Sequence, residues 1–214
     1  MLGPPGAGKG TQAERLARSR RIPKISTGDI LREAVHTGTA VGQRAKALMD
    51  RGELVSDEVM IGIVRERLDR ADARPGFVLD GFPRTVAQAA ALDGIMTGRG
   101  SLLVVDIEVS EAELVRRLST RLICGDCGTN AAGGETVCSR CRGPLVQRAD
   151  DNEAVVRERL KVYHRQSAPL VAYYRTRPMF RSVDGAQPAD RVFATLEAAV
   201  DDLVAGAAES GVPR

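Results

Sequence analysis

Aromatic side chains are scarce in this sequence: they make up 3% of 214 residues, and tryptophan is absent. The core must therefore be built from aliphatic side chains. No apolar run reaches the roughly 18 residues of a membrane-spanning helix. The N-terminus lacks the basic and apolar regions of a secretory signal. Net charge is only +3 and is spread without long runs, which is not the footprint of a nucleic-acid-binding surface. These absences predict a cytoplasmic protein with neither a membrane nor a nucleic-acid partner. Histidine is almost missing too. The two present, His36 and His164, fall in helical stretches and are expected at the surface. What remains is 43% hydrophobic residues, enough to build one large domain carrying insertions.

The densest signal is Gly3-Pro4-Pro5-Gly6-Ala7-Gly8-Lys9-Gly10-Thr11. Glycines permit close backbone approach, and successive N–H groups can then point at phosphate oxygens. A helix is expected from Thr11 to about Arg18, adding roughly half a positive charge at its start. Lys9 supplies a full charge within reach of the outer phosphates of a nucleotide. The spacing is that of a P-loop, with Gly10 where a hydroxyl residue is usual and Thr11 following it.

Apolar periodicity predicts alternating strands and helices. Strands are expected at 23–27, 77–80, 102–109 and 180–183. Helices are expected at 29–36, 41–51, 56–70, 85–96, from 110 onward, from Asp151 towards Arg175, and from Pro188 to about Ala208. Ser56 is read as a helix cap, and Ser110 with Glu113 as a capping box. Strands separated by helices imply an α/β fold with a parallel sheet covered on both faces. Ligands of such sheets bind at the carboxyl ends of the strands, where the P-loop, Thr27 and Asp80 should converge. Two stretches break the rhythm, 26–55 and 122–147, and are read as insertions.

The second insertion holds the spacing Cys124-x2-Cys127-x10-Cys138-x2-Cys141. Two such knuckles suit tetrahedral zinc with four thiolate ligands and no open position, which makes the metal structural. Disulfides or a redox pair are the alternatives. Asp80, ending an apolar strand beside the P-loop, can orient Mg2+ or its waters; a plain strand-end acid is the other reading. Arg32, Arg84, Arg117, Arg121, Arg148 and Arg159 are candidate phosphate clamps if they converge.

Together these motifs resemble adenylate kinase over nearly the whole chain. The carriers are the P-loop just quoted, Ile25-Ser26-Thr27-Gly28-Asp29-Ile30-Leu31-Arg32, Leu79-Asp80-Gly81-Phe82-Pro83-Arg84-Thr85, and Gln147-Arg148-Ala149-Asp150-Asp151-Asn152. The resemblance implies Mg2+-dependent transfer, ATP + AMP ⇌ 2 ADP. It implies a core of five parallel strands (1–25, 56–119 and 152–214), a helical AMP-binding insertion (26–55) and a mobile zinc-ribbon-like lid (120–151). Gly6, Ala7, Gly8, Lys9, Gly10 and Thr11 would cradle the ATP phosphates, with Arg117 and Arg121 on the ATP side. Gln187 would touch the adenine through its backbone. Thr27, Arg32, Glu53, Leu54, Val55, Gly81, Phe82, Pro83, Arg84 and Gln88 would hold AMP. Thr27 and Gln88 would favour adenine. Arg148 and Arg159 would grip AMP and the transferring phosphate, and Asp150 and Asp151 would lie at the lid hinge. Lys9, Asp80, Arg84, Arg121, Arg148 and Arg159 would carry the chemistry. A monomer is expected.

The chain starts two residues before Gly3, short of the family's longer first strand, and is expected to be less stable than an extended form. The link between the cysteine pairs is also short. Ala131 stands where family members carry an aromatic, which leaves the choice of ATP or GTP as donor open. Kinases for other monophosphates, a nucleotide binder with little turnover, and a zinc-ribbon module on a P-loop domain are the competing readings.

Overall fold

The computed structural model describes residues 1–131 and 134–209. Residues 132, 133 and 210–214, small parts of the predicted lid and core segments, lie outside the described residues.

Helix α1 (Lys9–Arg20) begins where Gly8 turns left-handed (φ 95°) and ends where Arg21 does the same (φ 56°). It buries Gln12, Ala13, Leu16 and Ala17, two adjacent positions repeated one turn on. Strand β1 (Lys24–Ser26) leads straight into α2 (Thr27–His36), because the Ser26 hydroxyl accepts from the Asp29 N–H and caps the helix. Thr27 therefore opens a helix and does not end a strand. Helix α3 (Ala40–Asp50) packs on α2 so closely that a Cβ on Gly42 would lie 1.9 Å from the Ala34 carbonyl oxygen. Helix α4 (Asp57–Leu68), strand β2 (Val78–Asp80) and α5 (Val86–Met96) follow. Then come β3 (Val104–Glu108), α6 (Glu111–Ser119), and the short strands β4 (Leu122–Cys124) and β5 (Leu145–Gln147). Helices α7 (Glu153–Val162) and α8 (Pro169–Arg175), strand β6 (Phe180–Asp184) and α9 (Ala189–Glu209) close the order.

The parallel strands form two pairs. β1 lies beside β2 with Ile25 opposite Leu79, and β3 beside β6 with Asp106 opposite Ser182. Met1 and Leu2 stand between the pairs. The Met1 amino group donates to the Leu79 carbonyl at 2.9 Å, and Leu2 exchanges bonds with Val105 and Ile107 at 2.7 and 3.1 Å. The centre of the layer is thus a single bridge, and the described architecture is mixed α/β with parallel strand pairs. Residues 104–107 are buried without alternation, as expected for strands covered on both faces. One aliphatic cluster gathers Ile25, Met60, Val64, Leu79, Phe82 and Leu92. Another gathers Ile107, Leu118, Val156, Leu160, Val183 and Leu196. Both histidines are exposed, as expected.

Ser56 and Ser110 stand at the N-cap positions expected of them, but neither bonds its helix through its side chain. Glu113 does not reach back to complete a capping box, because Arg116 and Arg117 draw its carboxylate at 2.7 Å. The helix expected from Asp151 starts instead at Glu153, where the Asn152 side chain accepts from the Val155 N–H at 3.0 Å. That stretch is not one helix either: a wide turn at Tyr163–Ser167 interrupts it before Pro169 restarts α8.

Candidate active site

The site is built at the carboxyl ends of the parallel strands. Leu2 runs into the P-loop, where Gly3, Gly6 and Gly8 all have positive φ. A Cβ on Gly3 would lie 2.6 Å from the Ile107 carbonyl oxygen, so the loop can start here only with glycine. Lys9 folds back across this loop and donates to the carbonyls of Gly3 and Pro4 at 2.7 and 2.8 Å. Burial lowers its ammonium to about 8, with Asp80 opposing the fall and Arg84, Arg159 and Arg121 adding to it. Asp80, at the end of β2, points a carboxylate oxygen to within 3.2 Å of where a Cβ on Gly10 would be.

The turn after β2 carries the next groups. The Thr27 hydroxyl and the Arg84 guanidinium both donate to the Gly81 carbonyl, at 2.8 and 2.9 Å. Burial pulls the Arg84 guanidinium below its usual range. Arg32, one turn into α2, pairs with Asp29. Gly52 (φ 74°) ends α3 so close to α7 that a Cβ there would meet Arg159 at 2.9 Å, which sets Glu53, Leu54 and Val55 beside that arginine.

Asp150 and Asp151 organise the remaining cations. Arg148 grips Asp150 through two bonds of 2.9 and 2.7 Å. Arg121 holds Asp151, whose side chain is fully buried, at 2.7 and 2.5 Å. Arg159 reaches both acids, at 3.1 and 3.0 Å. Burial would raise the Asp150 carboxyl, yet Arg159 and Arg148 hold it at about 2. Burial and the crowding of Arg148 and Arg121 bring Arg159 itself down to about 10, although Asp150 opposes. Five cations (Lys9, Arg84, Arg121, Arg148 and Arg159) thus share three carboxylates, those of Asp80, Asp150 and Asp151. The surplus of positive charge in a half-buried cleft is a demand for a polyanion.

One cavity runs through this region. Lys9, Thr27, Arg32, Glu53, Leu54, Val55, Gly81, Pro83, Arg84, Gln88, Arg148 and Arg159 all line it. Phe82 does not, since its side chain is wholly buried in the core. Gly6, Ala7, Gly8, Gly10, Thr11, Arg117, Arg121 and Gln187 also stand outside that lining. Arg117 ties α6 to the turn after β6 by donating to the Gly185 carbonyl at 2.9 Å, near Gln187, whose side-chain amide donates to Asp184 at 3.5 Å.

The four cysteines meet: their sulfurs all lie within 4.8 Å of one another. Tetrahedral zinc with bonds of about 2.3 Å needs sulfurs nearly 4 Å apart, so the set fits a structural Zn2+. Both knuckles turn alike, through Gly128 (φ 68°) and Arg142 (φ 66°), and β4 pairs antiparallel with β5 behind them. The segment reaches over the P-loop, where the Asn130 amide nitrogen is 3.9 Å from the Cβ position of Gly10.

Two contributors were not legible as site residues in the sequence. Asn130 sits in the short link after Cys127, where no motif marks it. Asp57 stands at the start of α4, where nothing in the sequence marks it as a site residue. Its carboxylate accepts from Thr85 and Gln88 at 2.9 and 2.7 Å across a gap of about thirty positions that no periodicity spans.

Comparison with known proteins agrees with this geometry. Residues 1–179 match the family model of adenylate kinase. The chain is 46% identical over 211 residues to an adenylate kinase of Methanocella arvoryzae, covering 95% of this chain and 98% of the relative. It is 47% identical over 211 residues to one of Archaeoglobus fulgidus (95% and 97% covered). It is 51% identical over 195 residues to one of Moorella thermoacetica (87% and 90% covered). With a polyanion cleft at the strand ends and likeness along nearly its full length, the chain belongs to the adenylate kinase family of nucleoside monophosphate kinases, which are phosphotransferases.

Proposed function

We propose that the residues around this cleft carry out ATP + AMP ⇌ 2 ADP in the roles that follow. The cavity between α2, α3 and the Gly81–Arg84 turn takes AMP. Its base lies towards Thr27, Leu54, Val55 and Gln88, and its phosphate towards Arg32, Arg84, Arg148 and Arg159. The amides of Gly6 to Thr11 and the Lys9 ammonium take the phosphates of ATP, with Arg117, Arg121 and the Gln187 backbone on the donor side. Asp80 would hold Mg2+ through its waters, and that ion, when bound, neutralises charge developing on the β- and γ-oxygens. Phosphoryl transfer needs position and charge balance more than a covalent partner, so no general base is required. Lys9 must leave the Gly3 and Pro4 carbonyls to reach a phosphate. The arginines must loosen from Asp150 and Asp151.

The observation that supports this reading is the gathering of Lys9, Arg84, Arg148 and Arg159 on one cavity with the residues of the AMP pocket. In the same reading 1–25, 56–119 and 152–214 form a five-stranded core, with Met1 and Leu2 in its central place. Residues 26–55 are the AMP-binding insertion. Residues 120–151 are a zinc-ribbon lid that excludes water when it closes over both nucleotides. The four cysteines would hold the zinc, which keeps the lid a rigid flap. The working form is a cytoplasmic monomer.

The test is ADP formation in a coupled assay. ATP should be supplied in turn with AMP, UMP, CMP and GMP, and then GTP with AMP, since Ala131 puts no ring beside the donor base. AMP with ATP is expected to be fastest. Lys9→Ala should cost on the order of 100-fold or more in kcat, the usual scale for removing one preorganised charge partner, with no loss of melting temperature, since the buried ammonium opposes folding at neutral pH. A Lys9→Ala protein that turns over normally would refute the P-loop assignment.

A further inference from the structure

Gln88 lies in the first turn of α5 and lines the cavity while being only 1% exposed. Both ends of its amide are already engaged. The Arg84 backbone N–H donates to Oε1 at 2.8 Å, and Nε2 donates to the Asp57 carboxylate at 2.7 Å. A backbone N–H can only donate and a carboxylate can only accept. The two partners therefore demand the same orientation of the amide. Turning it over would set its NH2 group against the Arg84 N–H and its carbonyl against the carboxylate. Asp57 is itself held, because the Thr85 hydroxyl donates to its other oxygen at 2.9 Å. Thr85 also accepts from the Gln88 N–H as the cap of α5. Asp57, Thr85 and Gln88 thus form a closed ring that ties the start of α4 to the start of α5.

Orientation matters because of what the amide has left to offer. After these two bonds, one N–H of Nε2 and one lone pair of Oε1 remain. Adenine presents an acceptor, N1, beside a donor, the 6-amino group. A 6-oxopurine presents the reverse, N1–H beside O6. An amide fixed one way round matches the first edge. The same amide turned over, facing the same base position, matches the second. Polar sites discriminate strongly when the wrong ligand leaves buried donors and acceptors unpaired.

We propose that Asp57 is a positioning residue for base selection: by locking the Gln88 amide it makes the monophosphate pocket prefer adenine over a 6-oxopurine. The inference rests on the reading of Gln88 as the group that faces the AMP base. Asp57 acts through Gln88 and touches no substrate.

IMP is the sharpest probe, since its base shares adenine's outline but carries N1–H and O6 without the extra amino group of guanine. Asp57→Ala, Asp57→Asn, Gln88→Ala and Glu58→Ala should be compared with the parent protein. For each, kcat and KM are measured for AMP and IMP at saturating ATP, alongside the melting temperature. Asp57→Ala is expected to lower the AMP-to-IMP ratio of kcat/KM roughly tenfold, the scale of one lost hydrogen bond. Most of that fall should come from a higher KM for AMP, with KM for ATP unmoved. Asp57→Asn should fall between, because its amide still accepts but no longer forbids the turned-over Gln88. Glu58 is the neighbouring acid in the first turn of α4. Glu58→Ala removes an exposed acid of the same turn and should leave the ratio intact. If Asp57→Ala and Asp57→Asn merely lower the melting temperature, with the ratio unchanged as in Glu58→Ala while Gln88→Ala collapses it, Asp57 is only structural. If Gln88→Ala itself leaves the ratio and the KM for AMP untouched, the base reading fails and takes the inference with it.

Discussion

Lys9, the phosphate anchor proposed above, is an unusual one because its ammonium gives up its proton only a little above neutral pH. Burial lowers it to about 8 in the ligand-free protein, against an ordinary 10.5. Between those values the folded chain carries the neutral amine where the unfolded chain carries the ammonium. The burial of Lys9 therefore opposes folding below pH 8 and ceases to do so as pH rises towards 10.5. Binding runs the other way. A phosphate needs the ammonium, so nucleotide affinity should fall as pH rises through about 8. Titrating ADP by calorimetry at pH 7 and pH 9 should show several-fold weaker binding at pH 9. In Lys9→Ala the difference should shrink, and equal pH dependence in both proteins would remove Lys9 as its source. The glycines around it have separate duties. Gly3 makes room against the Ile107 carbonyl, whereas Gly8 supplies a left-handed turn into α1.

At the level of elements, the cysteine segment has the least to hold it together. It contributes two three-residue strands, and its best-buried side chains include two of the cysteines themselves. A metal held by the four cysteines would then be the main source of order there. Cys138→Ser should abolish stoichiometric zinc, measured by a colorimetric chelator, and lower the melting temperature on the order of 10 °C. Helix content from the core should survive. A full melting temperature without bound metal would show that the strand pairing suffices. The turn beside it also follows from element boundaries. Because Asn152 caps α7, Asp150 and Asp151 are left outside the helix in a short turn, free to meet Arg121, Arg148 and Arg159. A helix starting at Asp151 would have turned those carboxylates elsewhere.

For the whole molecule, each parallel strand pair is built into its own aliphatic cluster, Ile25 and Leu79 in the first and Val105, Ile107 and Val183 in the second, and the strand ends face one cleft. Ile107 belongs to this arrangement twice over. Its side chain is fully buried in the second cluster, and its backbone accepts the close approach of Gly3. Ile107→Ala should cost about 2–5 kcal/mol by leaving a cavity. Denaturant unfolding should show the loss as a lower midpoint at an unchanged slope. Turnover below the unfolding range should drop much less, because the P-loop backbone is kept. An Ile107→Ala midpoint equal to the parent's would mean that the layer is not the mechanical base of the site.

Much of this protein was readable before folding was considered. The aliphatic composition determined the kind of core. Short apolar runs marked the strands, and period-3.6 patterns most helices. The P-loop, the Asp80 turn and the paired cysteines announced their chemistry because each is local, with every residue it needs within a few positions. The capping box at Ser110 and the long helix from Asp151 misled for local reasons. Glu113 was claimed by two arginines three and four positions on, and it is Asn152, one residue past Asp151, whose side chain bonds the first turn of α7. Only the tertiary structure could bring Arg84, Arg148 and Arg159 to Lys9, or Asp57 to Gln88. Hydrogen bonds and charge pairs act over a few ångströms in space, and chain distance along the sequence carries no record of them.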